Sequence, residues 1–175
     1  MTELERALAA FTSVDLAAWS GLPEGVRLAD LEPLLGFDAT DTRIGEAGSP
    51  GRACRWVAAE SPTYRGALRL WLDDTGEQVV LLEGLYPQDG DGVPLPVPEL
   101  PAPDGVYDAV LGPLHVPDAE RVYAGRGLAV QQHAEAGVLV AVLGFAPTTL
   151  ADYRARLQPH RQPTRPLPAP MGVRT

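Results

Sequence analysis

The most informative absence in this chain of 175 residues is lysine, because all 14 basic residues are arginine. Without lysine the chain cannot form a Schiff base with a carbonyl substrate, and it lacks the lysine that reaches the phosphates in a P-loop. No GxSxG, GxGxxG or Walker motif occurs either. A catalytic triad assembled from distant residues stays open, since such geometry is spatial rather than sequential.

Metal-binding residue types are scarce as well. Cys54 is the single cysteine, which excludes an intramolecular disulfide and a cysteine cluster, and its strand-like surroundings predict a small buried hydrophobe. The 3 histidines, His115, His133 and His160, stand apart with no acidic ligand at a metal spacing. The Asp-Gly-Asp-Gly run at 89–92 lacks the closing glutamate of a calcium loop. The sequence therefore predicts no metal and no cofactor.

Long apolar runs and net positive charge are also missing. No run approaches the roughly 20 apolar residues of a membrane span, and the N-terminus has no basic segment followed by an apolar one, which predicts a cytoplasmic protein without a membrane partner. The net charge is −9, and residues 1–157 alone hold 11 basic and 23 acidic residues, or −12. This charge argues against nucleic-acid binding and favours a basic protein partner, although acidity can also serve solubility alone.

What the chain does have is a β-hairpin pattern at 66–87. Leu68, Leu70 and Leu72 alternate with other residues, as in a strand with one apolar face, and an Asp-Asp-Thr-Gly turn follows at 73–76. The expected pairs are Leu72 with Glu77, Leu70 with Val79, and Leu68 with Leu81.

The hairpin pattern returns at 126–147 without a gap, at an offset of 60 residues (128 − 68). Leu128, Val130, Leu139, Val142 and Gly144 occupy the places of Leu68, Leu70, Val79, Leu82 and Gly84. A Leu-Gly pair also closes a helical pattern ahead of each hairpin, at 35–36 and 111–112. The sequence therefore predicts an internal duplication.

This repeat predicts an α+β protein of two halves, each a set of helices on an antiparallel sheet. The predicted divisions are a first half at 1–87, a Pro/Gly-rich linker at 88–104, a second half at 105–157 and a disordered Pro/Arg tail at 158–175. In the first half, one helix is predicted to begin at the capping box of Thr2 and Glu5, a second to run from Ser13 through Leu16 and Trp19, and a third to cover 28–35 with Pro33 in its first turn. In the second half, a short helix is predicted near 104–111 and another from Thr148 or Thr149 to Leu157.

Two features of the first hairpin are candidates for function. Glu83 is an acid on an otherwise apolar strand, partly removed from water unless Arg65 or Arg69 reaches it, and it is the residue to test if the protein is an enzyme. Arg69, Trp71 and Tyr86 are expected to share a face that is too apolar for solvent. Either a helix or a second sheet covers that face, or it is an open binding patch.

The Leu34-Leu35-Gly36 segment with 66–87, and the Val110-Leu111-Gly112-Pro113 segment with 126–147, resemble the tandem helix-helix-sheet repeats of the beta-lactamase-inhibitor-protein and BamE/SmpA-like folds. This resemblance implies a binding protein that uses an open sheet face and has no catalytic residues. The chain lacks the disulfides of the inhibitor.

The sequence thus favours a cytoplasmic protein-binding module, such as an inhibitor or immunity-type partner of a basic protein, over an enzyme. The alternative is a small cofactor-independent enzyme, of a cyclase or isomerase kind, or a small-molecule carrier, with a pocket between sheet and helices. A structural component of a larger assembly is a third possibility.

Overall fold

One antiparallel sheet organises the chain in the computed structural model, which describes residues 1–36, 43–45, 54–60, 65–85, 96–111, 116–133 and 137–158. The strands are β1 (Arg43–Gly45), β2 (Cys54–Glu60), β3 (Arg65–Leu72), β4 (Val79–Leu85), β5 (Gly105–Leu111), β6 (Val116–Tyr123), β7 (Leu128–His133) and β8 (Leu139–Gly144). Their spatial order is β1-β2-β3-β4-β8-β7-β6-β5. Each half of the chain forms a four-stranded meander, and the pairing of β4 with β8 joins the two. The predicted α+β class is confirmed.

The hairpins β3–β4 and β7–β8 have the same register at the 60-residue offset (128 − 68). Leu68 pairs with Gly84, as Leu128 pairs with Gly144. Each hairpin also contains one irregularity, after Trp71 in the first and after the equivalent Gln131 in the second. The shared bulge position means that the two hairpins turn equivalent residues to the same face.

The pairing between β4 and β8 is centred on Glu83 and Leu143, which are also equivalent in the two hairpins. An antiparallel pair of equivalent residues lies on a local twofold axis, so the two hairpins β3–β4 and β7–β8 are related by approximate local twofold symmetry. Descent of the two halves from one duplicated unit stays a prediction.

The register predicted for the first hairpin is wrong. Leu70 pairs with Leu82 and Leu72 with Val79, because the irregularity beside Trp71 shifts the alignment next to the turn. The connection is also longer than a tight turn, and it is closed by hydrogen bonds from the backbone N–H groups of Glu77 and Gln78 to the carboxylate of Asp73. Since side chains alternate across a strand, this slip moves Leu82 onto the face of Leu70 and moves Leu81 onto the opposite face.

Two helices and the segment between them cover what we call the first face of the sheet, the side that carries Leu68, Leu70 and Leu82. Helix α1 (Glu3–Thr12) begins with the predicted capping box of Thr2 and Glu5, and helix α2 is Leu28–Leu35. From these elements Leu8, Phe11, Leu16, Trp19, Leu22 and Leu31 enter the core. Trp19 lies so close to Gly144 that a β-carbon there would come within 2.7 Å of the indole ring, so this strand position requires glycine.

Three expectations about helices are wrong. Residues 13–18 form turns instead of a second helix. Helix α1 ends at Ser13 because Val14 takes a left-handed φ of 58° and donates its N–H to the carbonyl of Phe11. Pro33 lies in the second turn of α2 rather than the first. Residues 105–111 form strand β5. Their β-branched and aromatic residues favour a strand, and the backbone pairs with β6, whereas a short isolated helix would be marginally stable.

The C-terminal helix covers the opposite side of the sheet, the second face, which carries Arg69, Trp71 and Glu83. It begins as α3 (Leu150–Asp152), capped by Thr149, and continues as a π-helical turn, Tyr153–Leu157. Tyr153 and Leu157 are buried there against strand residues and against Phe145. The predicted stripe of this helix therefore packs on the sheet, although on the side away from α1 and α2.

The strands of the two predicted halves form one sheet. The described part of the predicted linker, 96–104, also contributes to the core, because Val97 and Leu100 pack against the first-face cluster and Pro96 forms a β-bridge with Val138. Residues 88–95 and 159–175 lie outside the described residues. None of the helices in the described part of the chain has the length and apolar composition that a membrane crossing requires.

Candidate functional site

The first candidate is the Glu83 cluster, which we define as Arg69, Trp71 and Glu83. The β3–β4 register places Arg69 directly opposite Glu83, and Trp71 follows Arg69 on the same face of β3. Glu83 is only 3% exposed, and its Oε2 atom accepts a hydrogen bond of 2.8 Å from the indole Nε1 of Trp71. The same oxygen lies 3.7 Å from a guanidinium nitrogen of Arg69. The carboxylate is thus held by a hydrogen bond and by a balancing charge.

This arrangement makes Glu83 a structural carboxylate rather than a free acid or base. Burial of an ionised carboxylate costs several kcal/mol unless donors and an opposite charge compensate it, and Trp71 and Arg69 supply both. Of the two arginines expected to reach Glu83, Arg69 does so. Leu143 occupies the equivalent position in the second meander, so the fold itself does not require a carboxylate at this place.

The expectation of an open binding patch around Trp71 is wrong. The side chain is 0% exposed, and it lies in the second-face cluster with Leu81 and Phe145. Arg69 is partly exposed, whereas Tyr86 lies outside the described residues. Trp71 is therefore a core residue, as the alternative of a covered face requires.

A second buried carboxylate, Glu120 on β6, anchors the C-terminal helix. Its Oε1 accepts a 2.6 Å hydrogen bond from the hydroxyl of Tyr153, and its Oε2 accepts one of 3.1 Å from Nε2 of Gln158. Sequence reasoning missed this residue. Its alternation with Val122 along the strand was the available signal, because it places Glu120 on an apolar face.

No group of three or more His, Cys, Asp or Glu side chains comes together among the described residues as a metal site would need. His115 and His160, and the side chain of Cys54, lie outside the described residues. Comparison with protein-family models, with curated proteins and with solved structures finds no match. Function therefore has to follow from the geometry of the chain itself.

The second candidate is the acidic surface, which we define as Glu24, Asp30, Glu32, Asp73, Asp74 and Glu77. The segment that leads into α2 is bonded directly to the β3–β4 turn. Leu28 donates its N–H to the carbonyl of Glu77, and Val79 donates to the carbonyl of Val26, each at 2.8 Å. Arg27 pairs with Gln78 in an isolated β-bridge. These bonds hold two acidic stretches of sequence, 24–32 and 73–77, against each other.

The charge of this surface is strongly unbalanced. Segments 24–35 and 73–78 contain 6 acids and one base, Arg27, a net charge of −5 (1 − 6). The guanidinium of Arg27 lies 3.7 Å from the carboxylate of Glu77, but both side chains are exposed, so this ion pair adds little stability. Leu34 of α2 is 40% exposed and adds an apolar side chain to the same segment. An exposed apolar residue beside acids fits a basic protein surface better than a small molecule.

The turn itself is rigidly built. The hydroxyl of Thr75 donates to the carboxylate of Asp73 at 2.7 Å, and backbone N–H groups of residues 77 and 78 add weaker hydrogen bonds. The hydrogen bond from Thr75 lowers the pKa of Asp73 below its usual 3.8, and so do the backbone bonds. Asp73 therefore keeps its charge at neutral pH.

Proposed function

We propose that this protein is a cytoplasmic protein-binding module and that its acidic surface receives a basic protein partner. The observation that carries the proposal is the junction of α2 with the β3–β4 turn, whose two segments carry six acids and one arginine, with an exposed leucine in α2. Opposite charge at such a surface speeds association and selects the partner, while an exposed apolar side chain adds affinity.

The resemblance to tandem helix-sheet binding proteins implies that this protein acts as an inhibitor or immunity-type partner of the basic protein. Supporting this proposal, the sheet of eight strands is continuous and its two central hairpins, β3–β4 and β7–β8, are equivalent in register. The enzyme alternative is less favoured, because its candidate base, Glu83, already accepts from Trp71 and faces Arg69.

The test compares two variants that change net charge equally but at different places. The variant Glu32→Gln/Asp74→Asn neutralises the acidic surface, and the control Glu3→Gln/Glu99→Gln neutralises two acids elsewhere. Each tagged protein is used to capture partners from a lysate of the source cells, and the captured protein is then purified and titrated at low and high salt.

The proposal requires that the partner be basic and that the acidic-surface variant lose at least about tenfold in affinity, while the control binds like the wild type. Higher salt should chiefly slow association. Equal losses of affinity in both variants would mean that only the net charge matters and would contradict a defined acidic surface. A partner that is acidic or neutral and binds both variants like the wild type would also overturn the proposal.

A further inference from the structure

Two residues of β6, Tyr123 and Arg121, lie on the first face of the sheet, on a strand that is not part of the acidic surface. They are two positions apart on one strand, so their side chains project from the same face as neighbours. Tyr123 pairs with the fully buried Leu128, whereas Arg121 lies between Val130, which is fully buried, and Val106 of the edge strand β5, which is 58% exposed. Burial thus falls off from Tyr123 towards Arg121 and the sheet edge.

The hydroxyl of Tyr123 is a buried polar group whose proton has no acceptor among the described residues. The residue is 3% exposed, and its hydroxyl has no hydrogen-bond partner within the described residues. Arg121 is only half-buried, and none of the ion pairs of the described residues involves it. A buried hydroxyl without a partner costs free energy, and such groups are rare in folded proteins.

The other polar groups around this hydroxyl are donors or are already engaged. Guanidinium groups donate hydrogen bonds and cannot accept them. A second arginine, Arg126, directs its NH2 group to the carbonyls of Leu16 and Trp19 beside the same face. The carboxylate of Asp104, just before β5, accepts from the backbone N–H of Ala124 at 2.7 Å. Among the described residues, no carboxylate accepts a hydrogen bond from the Tyr123 hydroxyl.

We infer that Tyr123 and Arg121 form a binding site for the oxyanion group of a small ligand, most suitably a carboxylate with an apolar body. The guanidinium of Arg121 would bind the two oxygens, and the hydroxyl of Tyr123 would donate the further hydrogen bond. Val106 at the exposed end offers an apolar contact for the rest of the ligand. This site is independent of the acidic surface and of its protein partner.

The ionisation of Tyr123 agrees with a donor role. Burial raises the pKa of this phenol above its usual 10.0, whereas the charge of Arg121, its guanidinium as a donor close to the hydroxyl oxygen, and the charge of Arg126 act in the opposite direction. The hydroxyl is therefore protonated at neutral pH, and it needs an acceptor rather than a donor. A ligand oxyanion meets that need together with the charge of Arg121.

The experiment measures the melting temperature by circular dichroism while sodium benzoate, sodium acetate or inorganic phosphate is titrated against sodium chloride at matched ionic strength. Benzoate binding is then quantified by calorimetry. Four proteins are compared, namely the wild type, Tyr123→Phe, Arg121→Gln and the control Arg156→Gln. Arg156 is an exposed arginine that pairs with Asp152 on the C-terminal helix, so the control removes the same charge at a distance.

A ligand that binds only the folded state raises the melting temperature with concentration. We expect benzoate to do so for the wild type and for the control, and we expect Tyr123→Phe and Arg121→Gln each to weaken benzoate binding by at least about tenfold. A larger effect of phosphate than of either carboxylate would identify a phosphate site with the same residues. Tyr123→Phe should fold at least as well as the wild type, because it removes only the unpartnered hydroxyl.

Two outcomes would overturn the inference. The wild type could show no shift beyond that of chloride, which would mean that water satisfies the hydroxyl. Alternatively, all four proteins could respond equally, which would mean a general ion effect.

Discussion

Trp71 and Glu83 allow the sharpest test of how the second face is held together. The indole N–H donates at 2.8 Å to a carboxylate that is 3% exposed, and the indole itself is fully buried. A hydrogen bond to a charged group contributes about 1.5–3 kcal/mol, and a smaller ring in the same space leaves part of the core unfilled. We therefore expect Trp71→Phe to lower the free energy of unfolding by about 2–4 kcal/mol.

Trp19→Phe is the matched control, because Trp19 is also buried and also donates one indole hydrogen bond, at 2.9 Å, to the backbone carbonyl of Gly127. A neutral acceptor contributes about 0.5–1.5 kcal/mol, so the loss at Trp19 should be smaller than the loss at Trp71. Urea unfolding followed by circular dichroism measures both, since tryptophan fluorescence would itself change with the substitutions.

A double-mutant cycle isolates the hydrogen bond from the change in packing. Glu83→Leu introduces the residue that stands at the equivalent position 143, and it is combined with Trp71→Phe. We expect a coupling energy of about 1–3 kcal/mol between the two substitutions. Losses that add to within about 0.5 kcal/mol would refute the idea that the pair acts as a unit. A Trp71→Phe protein with unchanged stability would contradict the core assignment.

Further predictions concern backbone geometry, the C-terminal helix and acid stability. Gly127→Ala should lower the free energy of unfolding by more than about 3 kcal/mol, because φ is +60° and the new β-carbon would come within 2.0 Å of a carbonyl oxygen. Gly76→Ala, at a φ of +74° with open space around it, should lower it by about 1 kcal/mol, and urea unfolding measures both. Tyr153→Phe should cost about 1.5–3 kcal/mol, because it removes a donor from the buried carboxylate of Glu120. The lowered pKa of Asp73 gives stability that is present above pH 3.8 and is lost as the pH falls through the folded-state value, so Asp73→Asn should flatten the acid side of a stability-against-pH curve.

Local signals in the sequence located most of the elements. The pair Thr2 and Glu5 marked the start of α1, Thr148 or Thr149 marked the start of the C-terminal helix, and the alternation at 68–72 located β3. Each of these depends on residues within one turn or one strand, which is the range over which capping and side-chain alternation act. The 105–111 segment shows the limit, because its apolar spacing also fits a helix and only hydrogen bonds from β6 make it a strand.

The candidate sites depended on longer-range structure. The sequence marked Glu83 as an unusual acid and named Arg69 as a possible partner, but the burial of Trp71 depends on a helix some 80 residues later in the chain (153 − 71 = 82). Alternation with Val122 was the only local sign of Glu120, and its role appears only once Tyr153 packs over it. Tyr123 is an ordinary strand tyrosine in the sequence until its hydroxyl is buried.

The sequence by itself determined the composition of the elements, the acidic character and the equivalence of the two hairpins. Only the tertiary structure decided the register, the side on which each residue lies and the joining of the meanders through β4 and β8. The physical reason is the alternation of side chains along a strand: one bulge beside Trp71 reverses the face of every residue beyond it, at little local cost, and only the packing of the whole sheet selects that arrangement.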